Sequence, residues 1–253
     1  MIFRPFYYFD TGCASYLFGC AGKGYAAVVD PQDHDLDSYI EFATSKRMRI
    51  THVIDTHVHA DHISGGRALA ERTGSAYALH ESAPVAFPFF PLRDAEQIGL
   101  GNVTAKVLHT PGHTPESICL LVTDTTRGLE PWFLLTGDTL FVGSVGRPDL
   151  SDQVEQSAKD LYRSLQRQIL PLPDNLEVYP GHFSGSVCGK GMSGKPMSSL
   201  GFEKRFNPLL SAASEEKFVN AITQTALPEP PQKAEILRRN QGRDIRDGAL
   251  SLR

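Results

Sequence analysis

Short apolar runs separated by glycine-containing breaks open the chain. FRPFYYFD (3–10), SYLFGC (15–20) and YAAVVD (25–30) are aromatic or β-branched and predict three successive strands. After Pro31 the pattern changes period: Leu36, Ile40 and Ala43 recur at helical spacing, with Asp35 as the cap and Lys46–Arg47 at the end. ITHVID (50–55) returns to a strand, and DHISGGRALAERTG (61–74) predicts a helix closed by Gly74. Strands are expected over 75–80, 102–110, 116–124 and 131–138, where Trp132, Leu134 and Leu135 are assigned to the core. A helix over 152–170 and a strand over 176–182 follow. The Gly/Ser/Lys-rich stretch 183–208 reads as a long functional loop, and a short helix near 214–225 precedes a polar tail. Strands occur both consecutively and in alternation with helices, which predicts a layered α/β sandwich rather than a purely parallel sheet. One domain over 1–253 is expected, its core within about 1–182 and the remainder completing it.

Composition narrows the class. Hydrophobic residues make up 41% and charged residues 21%, as in ordinary globular proteins. With a net charge of −4, no global basic field points to nucleic acid or anionic lipid. The longest apolar runs, such as SICLLV (117–122), are too short to span a bilayer, and MIFRPFYYFD lacks the features of a secretory signal. The 4 cysteines form no CxxC pair, which points to a reducing cytoplasm.

Histidine placement carries the chemical signal. Of 9 histidines, three (His57, His59 and His62) fall within THVHADH (56–62) around Asp61, directly after the strand 50–55. His113 follows the strand 102–110, Asp138 ends the strand in LLTGDTLF, and His182 ends the next in VYPGH. A single strand-end histidine is more often a hydrogen-bonded surface residue than a ligand, and a single aspartate can simply form a turn. Four glycine-flanked strand ends that each deliver His or Asp point instead to a metal site, with donors suited to zinc, iron or manganese.

In order, HVHADH, His113, the Gly-Asp of TGDTLF and the PGH of 180–182 resemble the ligand series of the metallo-β-lactamase superfamily. The resemblance implies a four-layer αββα sandwich with metal at one edge. It assigns His57, His59 and His113 to one metal position, Asp61, His62 and His182 to a second, and Asp138 to both. FYYFDTGCASYLFGC, AAVVDPQDHDLDSYI, GDTLFVGSVGRPDL and VCGKGMSGKP…GFEKRFNP further resemble the persulfide dioxygenase group, in particular bacterial forms, here without a rhodanese domain. That likeness implies one Fe(II) per chain on His57, His113 and Asp138, with His59, Asp61, His62 and His182 orienting ligands and water. The implied reaction oxidises glutathione persulfide with dioxygen and water to sulfite and glutathione. Any sulfur-transfer step would then need a separate sulfurtransferase.

A glyoxalase II-type hydroxyacylglutathione hydrolase with two metals would spell the cluster identically, so it stands as the alternative. That family usually carries a substantial helical C-terminal domain for glutathione, whereas only 71 residues follow His182 here and many read as loop. A non-catalytic module on the same scaffold would have no need of a complete ligand set. Arg147 is a candidate clamp for a glutathione carboxylate, with a loop pair to Asp149 as the structural alternative. Lys190, Lys195 and Arg205 are candidate substrate contacts or a solvated basic loop. Cys188, beside Lys190 in the same stretch, is a weak candidate nucleophile. Phe87, Phe89 and Phe90 suggest packing or the face of a homodimer.

Overall fold

The first sheet grows from the opening apolar runs. In the computed structural model, which describes residues 1–184, 186, 189, 191–224 and 228–243, β1 (Ile2–Tyr8), β2 (Cys13–Cys20) and β3 (Tyr25–Val29) pair antiparallel. The chain then crosses through α1 (Leu36–Ser45) to β4 (Arg49–Ile54) and through α2 (Gly66–Thr73) to β5 (Ala76–His80), each strand parallel to the last. A third parallel pairing adds β6 (Phe90–Leu92) and completes the order β1-β2-β3-β4-β5-β6.

The second sheet begins as an antiparallel meander of β7 (Gln97–Leu100), β8 (Val103–His109), β9 (Ile118–Asp124) and β10 (Phe133–Gly137). A small hairpin, β11 (Leu140–Phe141) and β12 (Ser144–Val145), leads through α3 (Val154–Ser164) to β13 (Glu177–Pro180), which lies parallel to β10. With β14 (Ser198–Ser199), the order is β14-β13-β10-β9-β8-β7. Three further helices follow: α4 (Leu200–Phe206), α5 (Glu215–Thr223) and α6 (Lys233–Asn240).

Strand periodicity sorts side chains into three apolar layers. Tyr16, Phe18, Ala27 and Val29 face the second sheet and meet Val107, Leu120, Phe133 and Leu135. Their neighbours Leu17, Ala26 and Val28 face the other way, against Tyr39 of α1 and Leu69 of α2. On the far side, Leu134 and Val178 pack against Leu161, Leu200 and Phe218. Successive residues of a strand point to opposite faces, so β2, β3 and β10 are apolar on both sides because both sides are covered. The result is the expected four-layer αββα sandwich.

Several local expectations needed correction. The helix predicted over 61–74 begins only at Gly66, and the residues before it form an irregular loop; its C-cap is Gly74, at φ 67°. Asp35 occupies the N-cap of α1 but makes no capping bond, because its carboxylate receives the hydroxyls of Tyr8 and Ser38 instead. Trp132 is 38% exposed, under the Arg127 guanidinium, not in the core with Leu134 and Leu135. The stretch 183–208 contains β14 and α4, the latter capped by the Ser199 hydroxyl, which accepts from the Phe202 amide at 3.3 Å. Phe87 packs beside Tyr77 beneath Arg67, while Phe90 belongs to β6 and is partly exposed. No helix among the described residues is long and apolar enough to cross a membrane.

Candidate metal centre

Strand ends from both sheets meet at one edge of the sandwich. His57 follows β4, His113 follows β8, Asp138 follows β10 and His182 follows β13, as their positions in the sequence imply. Cross-links between the sheets close this edge. Ile118 N–H donates to Thr56 O at 2.9 Å, Ala14 N–H to Gly181 O at 2.8 Å, and Tyr16 Oη to Pro180 O at 2.6 Å. Backbones approach too closely here for side chains: a Cβ on Gly146 would lie 1.8 Å from Asp138 O, and one on Gly181 would lie 2.9 Å from Asp138 Oδ1.

Each imidazole of the deepest group is held by one nitrogen, leaving the other bare. His57 Nδ1 meets Thr56 Oγ1 at 3.0 Å, and that hydroxyl donates to Asp30 Oδ2 at 2.9 Å. His113 Nδ1 donates to Arg147 O at 3.0 Å. His59 is turned the other way, with Nε2 3.2 Å from Asp30 Oδ1. These partners assign the tautomers: Nε2 of His57 and His113 and Nδ1 of His59 are left as lone-pair donors. All three are buried with no hydrogen bond among the described residues, as are both carboxylate oxygens of Asp138, and His113 Nε2 lies 3.3 Å from Asp138 Oδ2. Buried polar atoms in proteins are generally hydrogen-bonded, so a cluster of bare donors is the mark of a cation site.

Among the described residues the candidate donors fall into three groups, one of them Asp30, Asp55 and His59. His57, His113 and Asp138, all buried, offer two nitrogens and one oxygen within 4.8 Å of one another. Asp61 and His62 lie beside them, with His62 Nδ1 3.2 Å from Asp61 Oδ1 and His182 Nε2 3.4 Å from Asp61 Oδ2. His182 Nε2 also lies 3.5 Å from Asp138 Oδ1, which joins the halves. Cys13 Sγ approaches Asp61 Oδ2 at 3.9 Å and could add a soft donor on that side. Two imidazoles and a carboxylate fit a single iron or zinc ion, and the full set fits two.

Electrostatics prepares the donors. Burial, reinforced by the nearby His59 and His113, holds His57 well below the usual imidazole range, and burial likewise lowers His113, so both are neutral ligands. Burial would also lower His59, but Asp30 outweighs it and raises that imidazole to about 9, so a cation at Nδ1 must compete with a proton. Asp61 is pushed up by burial, yet His62 and His182 more than compensate and keep it ionised.

Other residues named from the sequence lie apart from this group. The Arg147 backbone orients His113, but its buried guanidinium forks onto Asp149 at 2.5 and 2.8 Å and donates from Nη1 to Pro228 O at 2.8 Å. This is the loop pair that the sequence also allowed. Lys195 lines a surface cavity of about 420 Å³ with Met197 and Phe202, and Arg205 lies over the Phe206 ring. Among the described residues, neither bonds to the metal donors. Lys190 and Cys188 lie outside the described residues.

Asp30 and Glu116 were missed. Asp30, at φ 49°, also accepts the Thr56 amide at 2.7 Å, and Glu116 accepts the Val58 amide at 2.9 Å, so two buried carboxylates brace the histidine loop. A signal existed for Asp30: YAAVVD ends in an acid at a strand terminus, as LLTGD does.

The signature of the Metallo-beta-lactamase superfamily matches residues 8–182. The chain belongs to that superfamily. Its structure is similar to that of ETHE1 from Myxococcus xanthus, with a TM-score of 0.83 and 32% identity over 95% of this chain and 98% of that one. In sequence it is 27% identical to "Persulfide dioxygenase ETHE1, mitochondrial" of Bos taurus, over 86% of this chain and 79% of the relative. It is also 34% identical to a hydroxyacylglutathione hydrolase of Nitrosococcus oceani, over 66% of this chain and 61% of the relative. Membership of this superfamily and the bare donor set together imply a bound metal.

Proposed function

We propose that this chain is a persulfide dioxygenase that converts glutathione persulfide, dioxygen and water to sulfite and glutathione. His57, His113 and Asp138 would hold one ferrous ion per chain, and this buried group of two imidazoles and a carboxylate is the observation that carries the reading. Likeness to two proteins named ETHE1, across most of each chain, supports it over other reactions hosted by the fold. A ferrous ion held there would supply dioxygen chemistry that no side chain offers.

The protein's own part is positioning and exclusion of water. Thr56 and Asp30 lock the His57 ring, the Arg147 carbonyl locks His113, and the closed sheet edge keeps their donor atoms from solvent. His62 Nε2 is buried beside Asp61 with no hydrogen bond among the described residues, so it is placed to orient a bound ligand. A reducing cytoplasm suits a persulfide substrate, and Cys13, Cys20 and Cys119 are free thiols. A separate sulfurtransferase would supply or consume the sulfane sulfur.

A hydrolase of the hydroxyacylglutathione type is the second reading, favoured by the nearby Asp61, His62 and His182 donors of a second position. An oxygen electrode separates the two. Oxygen uptake that requires glutathione persulfide and yields sulfite is expected, with little hydrolysis of S-lactoylglutathione. Rapid thioester hydrolysis without oxygen uptake would select the hydrolase.

A further inference from the structure

The structure assigns a metal-positioning role to Asn240, at the end of α6. This inference rests on the cluster being a metal centre but not on which reaction it runs. The Asn240 side chain makes three hydrogen bonds to the loop that carries His59, Asp61 and His62. Nδ2 donates to His59 O at 2.9 Å and His62 O at 2.8 Å, and Oδ1 accepts from Ser64 N–H at 3.0 Å. The amide orientation is fixed by its partners, because two carbonyls need donors and one N–H needs an acceptor. A flipped amide would lose all three bonds.

These bonds span between 176 and 181 residues of sequence, so the C-terminal segment closes the ligand loop from outside. Before α2 begins, residues 57–65 have no regular secondary-structure ladder beyond a single bridge from Ser64 to Gln32. His59 and His62 flank Asp61, so fixing both carbonyls sets where all three side chains point. Asp30 holds the His59 ring from the sheet side while Asn240 holds the backbone from the tail side. The same segment is anchored by Gln241 O, which accepts the Ala86 amide at 2.8 Å, and by Pro228 O, which accepts from Arg147. Arg147 in turn supports His113 through its carbonyl, so this segment touches the supports of both halves of the metal centre.

The test uses the full chain stripped of metal and titrated with Co²⁺ against a competing chelator. Visible ligand-field bands and the metal-free Tm are recorded alongside. Asn240→Ala removes all three bonds, whereas Asn240→Asp keeps an acceptor for Ser64 and carries the same readout if the alanine variant fails to fold. Ile236→Ala, a buried change on the same helix, loosens docking without touching the loop. Both Asn240 variants should bind Co²⁺ about tenfold more weakly, as expected when a support of metal ligands is lost. Their ligand-field bands should shift, and those of Ile236→Ala should match wild type. Unchanged affinity and bands in the Asn240 variants, even with a lower Tm, would reduce Asn240 to a peg for the helix. The same conclusion would follow if Ile236→Ala shifted the bands equally. A wild-type chain that takes up no Co²⁺ would sink the metal centre itself, and this role with it.

Discussion

His57, His113 and Asp138 stand directly after strands of two different sheets, sealed from solvent, and both imidazoles are fixed through their second nitrogen. Asp61 and His62 stand on an irregular loop, where His62 is partly open to solvent and the backbone is held by a side chain from the distant tail. Neighbouring donors therefore differ in how firmly they are placed. Strand ends inherit the rigidity of a sheet covered on both faces, whereas a loop is as rigid as its last few hydrogen bonds. One half suits a permanent metal, and the other suits adjustable work around it.

The strongest way to break this contrast is to delete donors from each half in turn. Asp138→Ala or His57→Ala should abolish metal retention and oxygen uptake, because the proposed site of three protein ligands would keep only two. His62→Ala should keep its iron and lose activity by about tenfold, at the lower end of effects for groups that support metal ligands. Metal analysis after desalting, beside oxygen uptake, reads both. Iron lost from His62→Ala but kept by His57→Ala would invert the division.

A gentler cut removes the brace from the firm half. Asp30→Asn keeps the shape but weakens the charge-assisted bonds to Thr56 and His59, and metal affinity should fall roughly 10–100-fold. Chelator competition measures it, and wild-type affinity would show that the strand ends hold the ligands unaided.

The next comparison concerns the loop behind His113. Asp149→Ala would remove the carboxylate partner of the buried Arg147 guanidinium, which keeps its bond to Pro228 O, and should cost about 2 kcal/mol, less than a fully buried pair because Asp149 is partly exposed. Arg147→Ala should lower the Tm to a similar degree, with KM tracking the loss of metal. A raised KM in a fully metallated, normally melting Arg147→Ala protein would instead return Arg147 to the substrate.

The smallest effect is in pH. His59 is raised from 6.5 to about 9 by Asp30, so its protonated form stabilises the metal-free fold fully below pH 6.5. That contribution is lost as pH rises through about 9. His57 and His113 are lowered, so their titration lies below this window and does not mask it. The Tm of metal-stripped wild type should fall between pH 6.5 and 9, and Asp30→Asn should flatten the decline; parallel curves would remove the Asp30–His59 pair as the cause.

What could be read from the chain tracks where local signals coincide with tertiary ones. The two-sided apolar runs of β2, β3 and β10 announced buried strands, and their ends announced His57, His113, Asp138 and His182. β6 was not legible, because Phe90-Pro91-Leu92 is three residues long and interrupted by proline. Trp132 misled because an indole counts as apolar even when it shields one face with a guanidinium. The supports were harder still. Asp30 and Asn240 act through partners 26 to 181 residues away, a distance over which no periodicity speaks.

The central claim is one metal on His57, His113 and Asp138. Counting metal per chain in the most active preparation tests it most directly, with iron and zinc measured together. One iron and little zinc, with activity rising in proportion to iron, is the predicted result. Two zinc ions per active chain would contradict it and give the cluster to the hydrolase.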